Sequence, residues 1–252
     1  MNILLVNDDG FDSPFLHLLC RAVAARGHHV TVCAPATQQS AKSHAYTVAL
    51  PLMAKRRDME GADEAWAIEG TPVDCCRIGF MSICEKRPDL VISGINLGYN
   101  TGFAVYVSGT VGAAREAAMQ GIPAMSLSAE YQTPPETVQF FADWAAALAE
   151  RLVDYPAPEF SVCNLNVPPV PMYELKEPKM CPITRNLYKD TYERRESPRG
   201  DSYFWLTPLE QDYDATPGSD QDWLSRGHIT CTFLTPDGVV DQEKYADFLK
   251  EL

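Results

Sequence analysis

Ile3-Leu4-Leu5-Val6-Asn7-Asp8-Asp9-Gly10 is the stretch that decides how this chain folds. A short unbroken apolar run, β-branched at both ends, meets a cluster of turn formers. Such a run reads as a strand buried on both faces, the kind found in parallel sheets. Open α/β sheets hold ligands beyond the carboxyl ends of their strands. The first strand therefore delivers Asp8 and Asp9 to the place where such folds keep their chemistry. Two adjacent carboxylates repel, so one takes a proton unless a cation sits between them. Oxygen donors of this type suit hard divalent ions such as Mg²⁺ and Mn²⁺. Asn, Asp and Gly also favour turns, so this stretch alone leaves a plain turn open.

Working outward, Ser13-Pro14 has the form of a helix N-cap followed by Pro at the first helical position. Apolar residues at 15, 16, 18, 19, 22 and 23 carry that helix to a stop at Gly27. Val30 to Pro35 reads as a second strand. No G-x-G-x-x-G follows the first strand, which excludes a dinucleotide-binding fingerprint. The polar loop from Ala36 to Ser43 leaves the same sheet edge as Asp8 and Asp9, making Ser40 and Ser43 candidate ligands or phosphate donors. Tyr46 to Met53 alternates weakly and reads as strand. Lys55 to Glu64 reads as a polar surface turn, and Ala65 to Ile68 as strand. Thr71-Pro72-Val73-Asp74 opens a helix with Thr71 as N-cap and Asp74 at the third position, a capping role.

The second informative stretch is Leu90-Val91-Ile92-Ser93-Gly94-Ile95-Asn96-Leu97-Gly98-Tyr99-Asn100. A buried strand ends in a loop that lets backbone approach a ligand closely. Asn96 offers an amide oxygen to a cation or an amide N–H to a phosphate, and Asn100 is a further candidate phosphate contact. Ser108, Gly109 and Thr110 precede an Ala-rich helix expected over 112–120. Small residues opening a helix present free N–H groups and a positive dipole end, an anion site. Ala124 to Ser128, a helix over roughly 137–152, and Phe160 to Val167 continue the α/β alternation. Residues 1–155 thus form a Rossmann-like core. Residues 156–252 complete that core and add an extended arm rich in Pro and aromatics. Ile229 to Phe233 reads as strand, and a short helix closes the chain over 241–252. Tyr192, Tyr203, Phe204 and Trp205 in the arm suit an interface with a second copy.

The formal net charge is −13 over 252 residues, which argues against long-range attraction to DNA, RNA or an anionic membrane. A small phosphate substrate remains compatible if a metal or local donors offset the repulsion. No apolar run is long enough to span a bilayer, and the N-terminus lacks the pattern of a signal peptide. None of the eight cysteines forms a C-x-x-C pair, so zinc-ribbon and thioredoxin-like readings have no support. Reduced thiols in a cytoplasmic protein are expected.

Taken in series, several blocks resemble the survival protein SurE family of metal-dependent nucleoside monophosphate phosphatases. They are Asn7-Asp8-Asp9-Gly10, Ala34-Pro35 with Ser40, Gly70-Thr71-Pro72-x-Asp74-Cys75, Ser93-Gly94-Ile95-Asn96 and Ser108-Gly109-Thr110-Val111. The resemblance continues through Asn164-Leu165-Asn166-Val167-Pro168, Gly218-Ser219-Asp220 and Gly227-His228-Ile229-Thr230. It implies a doubly wound, mostly parallel α/β sheet with a C-terminal dimerisation arm. It also implies one divalent ion held by Asp8, Asp9, Ser40 and Asn96, and a phosphate held by Ser108, Gly109 and Thr110. Asp8, Asp9 and Asn96 would be the catalytic groups. The implied assembly is a homodimer or a dimer of dimers. The chain departs from the family pattern at Phe103-Ala104, where an acid is usual, and at Ala41, Val107 and His228. Two rivals follow. A nucleotide-binding relative with little catalysis is suggested by Phe103-Ala104. A receiver-like switch domain lacks its acceptor aspartate, since Gly94 stands at the end of that strand.

Overall fold

The structure, a computed structural model, describes residues 1–185, 190–207 and 216–236. Its strands in chain order are β1 (Asn2–Val6), β2 (His29–Pro35), β3 (Ala54–Arg56), β4 (Glu64–Ile68), β5 (Leu90–Leu97) and β6 (Ala124–Ala129). They continue as β7 (Val162–Val167), β8 (Lys176–Met180), β9 (Thr191–Glu196), β10 (Ser202–Thr207) and β11 (His228–Leu234). The helices are α1 (Pro14–Ala24), α2 (Pro72–Ile78), α3 (Ala104–Val107), α4 (Gly109–Met119), α5 (Pro135–Val153) and α6 (Asp220–Ser225).

Among the described residues, nine strands form one sheet in the order β3-β4-β2-β1-β5-β6-β7-β11-β8. β1 is flanked by β2 and β5, parallel to both. Ile3 and Leu5 point into one core with Leu16 and Leu19 of α1 and Phe141 and Ala145 of α5. Leu4 and Val6 point into the other, with Cys75 and Cys76 of α2 and Ala113 and Ala117 of α4. A strand with helices on both faces has no polar side, which is why its sequence is continuously apolar rather than alternating. The chain winds outward in both directions from the β1/β5 boundary. This is a mixed α/β fold with a mostly parallel sheet, and its crevice lies beyond the carboxyl ends of β1 and β5.

Four expectations from sequence are corrected. Residues 46–53 are not a strand. Pro51 lacks a ladder donor, and the Thr47 N–H donates to Asp74 Oδ1 at 2.7 Å instead of to a neighbouring strand. Within the expected polar turn, Ala54–Arg56 instead pairs antiparallel with β4 as an edge strand, where exposed basic side chains deter further pairing. Helix α4 starts at Gly109, three residues early, because Ser108 caps it by accepting the Val111 N–H at 3.1 Å. β5 runs on to Leu97, with its register against β6 broken between Ser93 and Asn96. Gly94 permits this: its φ is +139°, and a Cβ there would lie 2.5 Å from the Leu127 carbonyl oxygen.

The Thr71–Asp74 capping box forms as read. β9 and β10 make a separate hairpin whose Tyr192, Tyr203, Phe204 and Trp205 are exposed. The helix expected over 241–252 lies outside the described residues. The eight cysteines are free thiols, and among the described residues no helix is long and apolar enough to cross a membrane.

One ion-pair cluster locks α4 to α2. Buried Glu116 accepts from Arg77 and from His44 Nε2. The His44 hydrogen bond, followed by the Arg77 charge, holds its carboxyl below the usual range. A depressed carboxylate pKa contributes stability that is present above its unfolded value and lost as pH falls through the folded one. Glu116→Ala should therefore cost roughly 2 kcal/mol near pH 7, since it leaves Arg77 half-buried and unpaired. In urea melts the gap from wild type should shrink as pH drops below about 4.5. A gap independent of pH would contradict the ionic account.

Candidate functional site

Beyond β1 the chain turns sharply. Asn7 Nδ2 donates to the Gly10 carbonyl at 2.9 Å, and the Gly10 φ of +97° completes the turn. A Cβ on Gly10 would lie 3.2 Å from the Thr37 carbonyl carbon, so the β1 turn and the 36–43 loop pack backbone to backbone. The Gln39 N–H then donates to the Asp8 carbonyl at 2.7 Å.

Asp8 is 5% exposed. Its Oδ1 accepts a hydrogen bond from the Thr110 hydroxyl, and that hydroxyl lies 3.3 Å from Asn96 Oδ1. The Asp8 carboxyl, the Asn96 amide oxygen and the start of α4 therefore meet at one point. Gly109 lets them do so: a Cβ there would sit 3.1 Å from Asp8 Cβ and 3.2 Å from Asp8 Oδ2. Burial pushes the Asp8 carboxyl up to about 6, opposed by the Thr110 bonds and reinforced by the neighbouring Asp9 charge. Asp9 is also raised by burial, against the pull of the Leu97 N–H and Gln38. The Leu97 N–H donates to Asp9 Oδ2 at 2.9 Å, and Gln38 Nε2 to Oδ1 at 3.3 Å. Asn96 Nδ2 is held by the Gly98 carbonyl at 2.7 Å, which turns its oxygen toward the Thr110 hydroxyl beside Asp8.

No lysine or arginine of the described residues pairs with Asp8 or Asp9. Two partly desolvated carboxylates with an amide oxygen beside them fit a hard divalent cation and suit a thiophilic metal poorly. Ser40 is exposed and follows directly on the Gln39 anchor. Among the described residues its hydroxyl has no hydrogen bond to Asp8, Asp9 or Asn96.

The residues read as phosphate contacts divide in two. Ser108, Gly109 and Thr110 sit at the start of α4 beside Asp8. The first N–H groups of a helix have no carbonyl one turn back. Ser108 Oγ takes that of Val111. Asn100 is buried, and its side-chain amide donates to Ser128 Oγ at 2.9 Å. Its backbone N–H and carbonyl are held by Asn164 and Asn166. Asn100 thus shapes its loop, with its side chain directed into the sheet. Sequence reading missed Gln38 and the Leu97 N–H as Asp9 partners. Gln38 lay in the polar loop already singled out, while a backbone donor leaves no mark in sequence.

These features define a class: a doubly wound α/β protein with an oxygen-donor centre at the point where strand order reverses. Comparisons with known proteins are specific. The family model described as "Survival protein SurE" matches residues 3–190. The protein named 5'-nucleotidase SurE from Nitratidesulfovibrio vulgaris strain DP4 is 42% identical over 237 residues, 94% of each chain. The protein of the same name from Maridesulfovibrio salexigens is 40% identical, covering 98% of this chain and 97% of its own. The crystal structure of the SurE protein from Aquifex aeolicus superposes with a TM-score of 0.81 at 30% identity, covering 100% of this chain and 99% of the other. The chain belongs to the SurE family.

Proposed function

We propose that the protein is a metal-dependent phosphomonoesterase that hydrolyses nucleoside 5'- and 3'-monophosphates to nucleoside and phosphate. The observation that carries this reading is the meeting of Asp8, Asn96 Oδ1 and the Thr110 hydroxyl at the start of α4. Relatives that share about 40% of its residues over nearly their whole length carry the name 5'-nucleotidase SurE. Asp8, Asp9, Ser40 and Asn96 hold one Mg²⁺ or Mn²⁺. When bound, such an ion lowers the pKa of a water and offsets the charge building on phosphorus.

The protein's own groups do the rest. The N–H groups of Gly109 and Thr110 and the Ser108 hydroxyl bind the equatorial phosphate oxygens at the positive end of α4. Asp8 accepts the proton of the attacking water, its carboxyl oriented by the Thr110 hydroxyl. Asp9 is aimed by the Leu97 N–H and Gln38. Two copies associate through the β9–β10 arm, whose exposed aromatic residues support a homodimer or a dimer of dimers. Eight free thiols support a reducing, cytoplasmic setting. A second reading, nucleotide binding with little turnover, draws on Phe103-Ala104 in place of the family's acid.

Phosphate release from a panel of nucleoside monophosphates, with Mg²⁺, Mn²⁺ or EDTA, tests the proposal. The expected result is turnover with either ion and none in EDTA. Full activity in EDTA would overturn metal dependence, and binding without turnover would favour the second reading.

A further inference from the structure

The segment 98–103, between β5 and α3, has no regular structure of its own, yet it leads straight into α3 and the Ser108 cap. What fixes it comes from the last third of the chain. Asn164 and Asn166 of β7 hold the Asn100 backbone. The Gly102 N–H donates to Asp220 Oδ2 at 2.8 Å. Asp220 Oδ1 accepts the Thr184 N–H at 2.8 Å and the Gln221 N–H at 2.8 Å. Gln221 Nε2 also reaches Thr101 Oγ1 at 3.3 Å.

Asp220 is 1% exposed and, among the described residues, has no ion pair. A buried carboxylate without a cation costs stability, and burial raises its pKa despite the N–H groups around it. An apolar residue would avoid that desolvation but leave the Gly102, Thr184 and Gln221 N–H groups without this acceptor. What the carboxylate gains is geometry: one group fixes three backbone segments far apart in sequence. The Asp220–Gly102 bond spans 118 residues.

We propose that Asp220 is a positioning residue for phosphoryl transfer: by clamping the Gly102 backbone, it sets the 98–103 loop and, through α3, the phosphate-binding start of α4. The inference rests on the phosphatase reading above. It assigns Asp220 a task separate from metal binding, since Asp8 and Asp9 lie in the turn after β1, Asn96 lies near the end of β5, and none of them hydrogen-bonds to Asp220.

The test uses full-length Asp220→Asn, which keeps the size of the side chain but turns one oxygen into an NH₂ that opposes a backbone N–H. Mn²⁺ affinity and inorganic phosphate affinity are measured by calorimetry, alongside kcat and KM. Expected are Mn²⁺ binding within twofold of wild type, phosphate binding at least tenfold weaker and kcat at least tenfold lower. Thr101→Val, which removes only the second tie, should shift phosphate affinity and kcat the same way by two- to fivefold. If Asp220→Asn fails to fold, Thr101→Val alone decides. Wild-type phosphate affinity in whichever variant is folded would overturn the proposal, as would Mn²⁺ affinity falling in step with phosphate affinity. A wild-type protein that binds phosphate but turns over no nucleotide would sink the phosphatase reading and leave the clamp standing.

Discussion

Asp8→Asn should abolish phosphate release and, at the same time, make the metal-free protein more stable. The two effects have one cause. Asp8 is buried beside Asp9, and its carboxyl is pushed up from 3.8 to about 6. A carboxyl whose folded pKa is raised contributes stability that is fully present below the unfolded pKa. That contribution is lost as pH rises through the folded value. The metal-free protein therefore loses stability between about pH 4 and pH 6 on account of this group. A shift of about two units corresponds to at most about 3 kcal/mol at pH 8. Asparagine has the same shape and can still accept from Thr110, but carries no charge to desolvate. In metal-free buffer at pH 8, Asp8→Asn should melt above wild type, and the difference should vanish by about pH 4. Mn²⁺ should raise the melting temperature of wild type and leave the variant unmoved. Turnover should fall by about 10³-fold or more, since base and charge are both lost. A variant that melts lower than wild type at pH 8 would contradict the burial argument, and one that retains activity would contradict the mechanism.

Gly109→Ala should cost roughly 10²-fold in kcat with the fold intact. Gly109 has no positive φ, and alanine is the better helix former by about 1 kcal/mol. Nothing in the backbone opposes the change. Space does: the added methyl would lie 2.9 Å from Pro72 Cγ, 3.1 Å from Asp8 Cβ and 3.2 Å from Asp8 Oδ2. Either α4 retreats or the Asp8 carboxyl turns away from Asn96. A misplacement of about 1 Å at reacting groups costs on the order of 10²-fold. Circular dichroism should match wild type while Mn²⁺ binding weakens. Unchanged kcat and Mn²⁺ affinity would show that the close approach of α4 to β1 is not needed.

What was legible in the sequence was local. The apolar run before Asp8 and Asp9 marks a buried strand because both of its faces are covered, and that condition is written into four consecutive residues. The capping box of Thr71 and Asp74 spans one helical turn and reads directly. The segment 46–53 misled because its weak alternation carries no sign that Asp74, 27 residues on, takes the Thr47 N–H. The start of α4 was displaced for a related reason: small residues are neutral about where a helix begins, and the Ser108 cap decides. The partners of Asp9 were out of reach, since the Leu97 N–H arrives from 88 residues away and is backbone. Asp220 stood in a motif of the family without a task, because its work is done on Gly102.

Oxygen atoms from separate strand-end turns gathering around one hard cation is the central claim. Crystals soaked in Mn²⁺ and measured for anomalous scattering test it most directly. The account predicts a single strong peak at about 2.1 Å from oxygens of Asp8, Asp9 and Asn96, with the Ser40 hydroxyl swung in to join them. No peak there, or one held by other residues while the enzyme turns over, would contradict it.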